Sequence, residues 1–389
     1  MTVSNASLPS LDATGQTTSL NPPMRLLYGP GPTQVHPRVY SAISKPIVGH
    51  LDAYFFKINE EVQQMLRTVF GTKNTLTFAI SGTGSAGMET AITNFVQSGT
   101  KVAVFANGYF CDRMTEMAQR QGGNVVRFEK AWGEVFIDDE AREFIRRERP
   151  QVVMYVHAET STGALQNGKA ICDAAHEVGA IVIADVVTSL GAMPVKVDET
   201  GIDVAYSCTQ KGLSCPPGLS PVTVSPMAAE RLNERKEPCR SWYLDLKLIN
   251  EYYITAHRYH HTAPISMFYA LHEALSLVME EGAEQRWERH RRAHDEFVRG
   301  VERLGLTMHV PSQNQIWNLN TPRVPKGVDE GKVRATLLNE FGIEIAGGFG
   351  PLAGQVFRVG IMGPLATHEG VEFFLERFER ALKTGGYKR

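Results

Sequence analysis

Across residues 75–225 the chain alternates short β-rich apolar runs with amphipathic stretches long enough for helices, and few folds accept that order. The runs are Leu76–Ser81, Lys101–Ala106, Asn124–Phe128, Gln151–His157, Ala180–Asp185, Asp203–Cys208 and Pro221–Ser225. Several are apolar almost throughout, as strands covered on both faces should be. The expected architecture is therefore α/β, a mostly parallel sheet with crossover helices on its faces. Downstream, Met267–Glu280 and Glu284–Arg303 read as two helices bridging to a second unit. There Ile316–Leu319, Ile343–Ala346 and Val356–Gly360 read as strands, separated by helices near Val333–Phe341 and Glu369–Leu382, an α+β pattern. The expected division is an N-terminal extension over 1–24, a large domain over 25–281 and a small C-terminal domain over 282–389. A chain of 389 residues is too long for one simple core, and two domains leave room for a cleft.

Charge argues against a nucleic-acid or membrane partner: 40 basic residues face 42 acidic ones, and no apolar run approaches the roughly 20 residues of a membrane span. Cys111, Cys172, Cys208, Cys215 and Cys239 are odd in number and lack a C-x-x-C pair, so neither a disulfide framework nor a zinc ribbon is encoded. Residues 1–23 are rich in Ser, Thr, Asn and Pro without the basic start and apolar core of a secretory signal. They read equally as a disordered tail or as an arm over a partner subunit. A cytoplasmic location is the expectation.

Three motifs stand at ends of the expected strands. Ser81-Gly82-Thr83-Gly84-Ser85-Ala86-Gly87 follows one and opens a helix, satisfying G-x-G-x-x-G. A dinucleotide site needs a carboxylate at the end of the next strand, and Lys101–Ala106 runs into Asn107-Gly108-Tyr109 instead. Free backbone N–H groups, the helix dipole and the Ser85 hydroxyl still suit a single phosphate, although a tight strand-to-helix turn would want the same glycines. Asp185 is the only charge on the run Ala180–Asp185 and ends it on the side where α/β sheets bind ligands; capping the next turn is its other use. Gln210-Lys211-Gly212 follows Asp203–Cys208 and leads into Cys215-Pro216-Pro217-Gly218. Lys211 alone could be a surface lysine. Together the three fit pyridoxal 5'-phosphate (PLP), which needs a phosphate cradle, a carboxylate at its pyridine nitrogen and a lysine for its aldehyde. His257, His260 and His261 have helix-like metal spacing, but no further ligand is marked out and no metal is expected.

Leu27-Tyr28-Gly29-Pro30-Gly31-Pro32, Ser81-Gly82-Thr83-Gly84, Ala184-Asp185, Ser207-Cys208-Thr209-Gln210-Lys211, Pro216-Pro217-Gly218 and Tyr259-His260-His261-Thr262 recur in this order with nearly constant spacing. On these motifs the chain resembles the class V PLP-dependent aminotransferases, nearest their alanine-glyoxylate (serine-pyruvate) branch, from about residue 25 onward. The resemblance implies PLP-dependent fold type I: a large domain with a mostly parallel seven-stranded sheet, a smaller α+β domain, and a homodimer with active sites at its interface. It also implies that Gly84, Ser85 and Gln210 meet the phosphate, with Tyr259 and Thr262 reaching it from the neighbouring subunit. Ser85 stands where the animal enzymes carry histidine. Phe110, replacing tryptophan, would stack on the pyridine ring and Val187 would press its other face. Thr160, replacing serine, would sit near the phenolic oxygen. Arg358, a charge inside Val356-Phe357-Arg358-Val359-Gly360, would clamp the substrate carboxylate with its planar fork. Tyr28, Gly31 and His50 are expected to shape the side-chain pocket.

The expected reaction is ping-pong amino transfer from a small L-amino acid, alanine or serine, to glyoxylate or pyruvate, with Lys211 as catalytic base. Relatives of similar build take aminoethylphosphonate, ureidoglycine or pyridoxamine as donor, which remain alternatives. A PLP lyase or desulfurase is disfavoured because no cysteine follows Cys239 to act as a mobile nucleophile. A nicotinamide dehydrogenase lacks its ribose carboxylate, and a non-catalytic PLP-binding protein is the remaining alternative.

Overall fold

The computed structural model describes residues 20–388. The part of the expected N-terminal extension that spans 1–19 lies outside the described residues. Seven strands form the central sheet: β1 Leu76–Ser81, β2 Lys101–Ala106, β3 Asn124–Glu129, β4 Val152–Val156, β5 Ile181–Asp185, β6 Val204–Tyr206 and β7 Leu219–Val224. Their spatial order is β1-β7-β6-β5-β4-β2-β3. All neighbours run parallel except β7, which lies antiparallel to both β1 and β6. Every residue of β4, β5, β6 and β7 is buried, which explains why those runs are mostly apolar. Each expected strand of this sheet forms, within two residues of its expected ends.

Helix Gly84–Phe95 follows β1 and presses on the sheet through Gly87. A Cβ there would land on the Ser220 hydroxyl and lie 3.3 Å from the Tyr206 Cβ. That hydroxyl donates to the Ser207 carbonyl at 2.5 Å, so an intruding methyl would break a buried hydrogen bond as well as overpack the interface. Gly87 is thus a point of close approach between the helix and the sheet on which the site stands.

The C-terminal part has its own core. Val333, Phe357, Phe374 and Phe378 are among the side chains it buries, whereas the larger core gathers residues from Val35 to Val278. Helices Ile265–Glu281 and Ala283–Arg303 meet at Gly282, whose φ of +85° lets the chain turn between them. The expected strand Ile343–Ala346 is divided into Ile343–Glu344 and Ala346–Gly347. The first pairs in parallel with Leu26–Leu27, and the second joins Phe357–Gly360 and Leu319–Asn320 in an antiparallel sheet. Residues 26–28, placed with the large domain in the sequence reading, thus pack with the C-terminal part. A two-residue strand finds its partner only through the tertiary fold. No described helix is long and apolar enough to cross a membrane.

Gly87→Ala is expected to destabilise the chain by about 1–3 kcal/mol, read from urea unfolding followed by circular dichroism. An unchanged unfolding midpoint would contradict this account of the helix-sheet contact.

Candidate active site

The strand ends of β1, β5 and β6 converge at one place, as the order β1-β7-β6-β5 requires. Lys211 stands there on the loop after β6 and is 7% exposed. Its Nζ donates to Thr160 Oγ1 at 2.7 Å and Thr188 Oγ1 at 3.0 Å, and those two hydroxyls also touch each other. The amine lies 5.6 Å from the centre of the Phe110 ring. Burial pushes the Lys211 pKa below the usual lysine range, opposed in part by Cys208, Asp185 and Glu159. Gly31 closes the other side: at φ +117°, a Cβ on it would lie 3.0 Å from Lys211 Cγ.

Asp185 ends β5 and is 2% exposed. The Val187 N–H donates to Oδ1 and the Tyr206 hydroxyl to Oδ2, each at 2.8 Å. Burial raises its pKa, while these two donors, Lys211 and Arg113 oppose the shift. A cation held against this carboxylate would lower the pKa again.

The glycine turn packs into the same place. A Cβ on Gly84 would meet the Cys208 Cβ at 3.0 Å and Val187 Cγ2 at 3.5 Å, so the backbone approaches where only glycine fits. Ser85 is exposed, and its hydroxyl accepts from Arg113 at 3.1 Å; Arg113 in turn lies 4.9 Å over Phe110. Gln210 keeps a buried Oε1 without a partner.

Arg358 enters from Phe357–Gly360 and is 3% exposed. Its Nε donates to the Gly347 carbonyl at 2.7 Å, its fork lies 3.8 Å over Phe349, and NH1 reaches the Thr160 carbonyl at 3.5 Å. It has no ion pair among the described residues. Burial lowers its pKa to about 10, with Glu159 opposing, so it stays cationic at neutral pH.

Lys211, Thr160, Phe110, Asp185, Val187, Gly84, Ser85, Gln210, Gly31 and Arg358 therefore gather around the same strand ends. Tyr259 and Thr262 do not join these contacts: both are exposed, with Tyr259 beside His50 at 5.1 Å between ring centres. His50, half-buried, sits with Tyr259 rather than with the Lys211 contacts. Tyr28 is a correction. Its ring packs on Phe374, its hydroxyl donates to the Gly370 carbonyl at 2.9 Å, and it is 1% exposed, so it builds the C-terminal core rather than a substrate pocket. No cluster of three or more His, Cys, Asp or Glu that could hold a metal occurs among the described residues.

The sequence reading missed Glu159 and Thr188. Glu159 is completely buried and accepts from the Ser161 N–H at 3.0 Å, the Ser161 hydroxyl at 2.6 Å and the Phe110 N–H at 3.2 Å. It ties the loop carrying Thr160 to the start of helix Tyr109–Arg120. Burial raises its pKa, with the Asp185 charge adding to the shift. A carboxylate just past the run Gln151–His157, placed as Asp185 is on its own run, was the available signal.

A doubly covered, mostly parallel sheet with a buried lysine beyond its strand ends is the α/β fold of PLP-dependent aminotransferases. Residues 26–373 match the family model for aminotransferase class V. The chain is 37% identical to the (S)-ureidoglycine-glyoxylate transaminase of Bacillus subtilis, over 92% of this chain and 91% of that one. It is 34% identical to alanine-glyoxylate aminotransferase of Oryctolagus cuniculus over 93% of each. A crystal structure of alanine-glyoxylate aminotransferase from Nostoc sp. superimposes with a TM-score of 0.94 at 43% identity, covering 96% of this chain and 99% of that one. The chain belongs to the class V aminotransferase family and is a transaminase.

The site has an acid limit. His157, whose backbone N–H bonds the Asp185 carbonyl and whose Nδ1 lies 2.8 Å from Ser189 Oγ, is pushed down by burial to about 4. Below its unfolded pKa of about 6.5 the unfolded chain takes up a proton that the folded chain refuses, so stability falls as pH drops from about 6.5 towards 4. The loss expected from this one group between pH 6.5 and 5 is about 1.5 kcal/mol. Urea unfolding of the native chain and of His157→Gln at both pH values checks it: the variant should show the smaller pH dependence.

Proposed function

We propose that the chain binds PLP and moves the amino group of a small L-amino acid, alanine or serine, to glyoxylate or pyruvate in two half-reactions. The observation that carries this reading is a buried amine, Lys211, held by two hydroxyls in one cleft with the buried carboxylate of Asp185 and the unpaired fork of Arg358. The cleft fits the cofactor on its own features: a glycine approach at Gly84 that a Cβ would fill, an unpartnered buried oxygen on Gln210, and a ring face on Phe110.

Gly84, Ser85 and Gln210 would hold the phosphate, Phe110 and Val187 the two ring faces, and Thr160 the phenolic oxygen. Asp185 would keep a proton on the pyridine nitrogen. When bound, PLP supplies the electron-withdrawing ring that makes the substrate's Cα–H bond acidic. Arg358 fixes the substrate carboxylate and so aims the Cα–H bond. Lys211, its charge disfavoured by burial, takes the Cα proton and can return one. Gly31 presses the lysine's stem from behind.

The proposal includes a homodimer in which Tyr259 and Thr262 serve the neighbouring site. Their exposure supports it, as does the apolar surface beside them, where Trp242 is 60% and Tyr259 58% exposed. A division into two domains near residue 282 is supported by the separate cores. A cytoplasmic location is supported by five free cysteines.

Ureidoglycine is the second candidate donor, favoured by the likeness to the Bacillus subtilis transaminase. Both relatives are named for glyoxylate, which makes it the favoured acceptor. Measuring kcat/KM for alanine, serine, ureidoglycine, aminoethylphosphonate and pyridoxamine against glyoxylate, pyruvate and oxaloacetate tests the assignment. Alanine or serine with glyoxylate or pyruvate should lead; a leading pair outside these would overturn the substrate assignment.

Lys211→Ala is expected to lower turnover by more than about 10⁴-fold and to remove the visible absorbance of the bound cofactor, with the circular dichroism of the fold retained. Full activity in that variant would sink the reading.

A further inference from the structure

A charged network beneath the cleft is left unused by the proposed chemistry. Arg286, near the start of helix Ala283–Arg303, is 6% exposed. Its Nε donates to the Gly191 carbonyl at 2.9 Å, and its NH2 to the Gly212 carbonyl at 2.8 Å and Ser214 Oγ at 3.3 Å. Its NH1 pairs with Glu281 Oε2 at 2.9 Å. Glu281 also receives Arg289, through Nε at 2.6 Å and NH2 at 3.0 Å. The remaining Arg289 nitrogen donates to the Gly363 and Ala366 carbonyls, both at 2.8 Å. His290 completes the set: its Nδ1–H donates to the Arg286 carbonyl at 2.8 Å and its Nε2 accepts the Gly363 N–H at 3.0 Å.

The acceptors are not scattered. Gly212 follows Lys211 directly, and the Ser214 N–H bonds the Lys211 carbonyl at 2.8 Å. Gly191 lies three residues beyond Thr188, which receives the Lys211 amine. The two loops touch backbone to backbone: a Cβ on Gly212 would lie 2.8 Å from the Ala192 nitrogen. Arg286 thus holds both loops that fix the lysine. Gly363 lies three residues beyond strand Phe357–Gly360, which carries Arg358. One carboxylate therefore joins a cation that grips the lysine loops to a cation that grips the turn after the Arg358 strand. A buried arginine is costly to desolvate, and apolar packing would attach a helix to a sheet at lower cost. What the rigid fork adds is fixed direction at each carbonyl.

We propose that Arg286 is a positioning residue for Lys211, and that Glu281 couples it through Arg289 to the strand bearing Arg358, holding the lysine and the carboxylate clamp in one register. This rests on the roles assigned above to Lys211 and Arg358.

Arg286→Lys keeps the charge but offers one ammonium where four acceptors are arranged around a fork. The expected result is a folded chain whose amino-donor half-reaction slows on the order of tenfold to hundredfold, because misplacing a reacting group by about an ångström costs that much. The donor KM should change by less than about twofold, since the carboxylate clamp is retained. The pH midpoint of the bound cofactor's visible absorbance should move, and hydrogen exchange in the cofactor-free chain should quicken across residues 190–193 and 209–215. Arg289→Lys should act on the other half, raising the donor KM more than it lowers the rate. Because both changes pass through Glu281, the double variant should lose less than the product of the single losses.

If Arg286→Lys does not fold, Ser214→Ala removes one acceptor and leaves the ion pairs intact, and should move the same readouts in smaller measure. An Arg286→Lys chain that is less stable yet unchanged in half-reaction rate and pH midpoint would overturn the proposal, as would strictly multiplicative losses in the double variant. Lys211→Ala separates the two levels. Activity in that variant defeats the reading of the site, whereas an inactive Lys211→Ala beside an unaffected Arg286→Lys defeats only the coupling.

Discussion

A primary amine buried without a carboxylate in hydrogen-bond contact is the constraint around which this molecule is arranged. Lys211 finds two threonine hydroxyls rather than an anion, so burial depresses its pKa instead of being offset by an ion pair. An amine in that condition is closer to its neutral, reactive form than a surface lysine. Maintaining it requires dry walls, and the sheet supplies them through strands that are buried on both faces. Asp185 and Glu159 stand near enough to be felt electrostatically. Each has its own hydrogen-bond donors, so neither collapses onto the lysine.

The same economy of contact explains the glycines. Gly84, Gly31 and Gly87 occupy three different kinds of close approach: a turn against Cys208, a loop against the lysine stem, and a helix against the sheet. Each removes one side chain where two backbone or side-chain surfaces must meet. The site is thereby assembled from loops that would otherwise stand several ångströms apart. Arg358 arrives from the C-terminal sheet and reaches the Thr160 carbonyl, so both cores contribute a wall.

Much of this was readable from the chain. The buried central strands announce themselves because a strand covered on both faces has to be apolar at most successive positions, and the charge on Asp185 stands out against such a run. Glu159 was less legible. Its place just past the run Gln151–His157 was the one local signal, and the Thr, Ser and Gly that follow β4 make that signal weaker than the charge that closes β5. Tyr28 misled for a related reason: it adjoins the loop that reaches Lys211, but side-chain direction depends on a two-residue strand pairing with Ile343–Glu344. The network of Glu281, Arg286 and Arg289 was invisible, since a helix rich in Glu and Arg reads as a solvated surface until the carbonyls it meets are known.

Local sequence alone determined the order of strands and helices, the glycine turn after β1, the lone carboxylate closing β5 and the lysine following β6, because periodicity and turn chemistry are written over a few residues at a time. Tertiary structure decided which of these meet. It set β1 beside β7 and carried residues 26–28 to the C-terminal core. It brought Arg358 to within reach of the Thr160 carbonyl and turned two arginines of an apparently wet helix inward. Those outcomes depend on contacts between residues tens to hundreds of positions apart. No local pattern encodes the burial that gives Lys211 its depressed pKa or the loops that hold it in place.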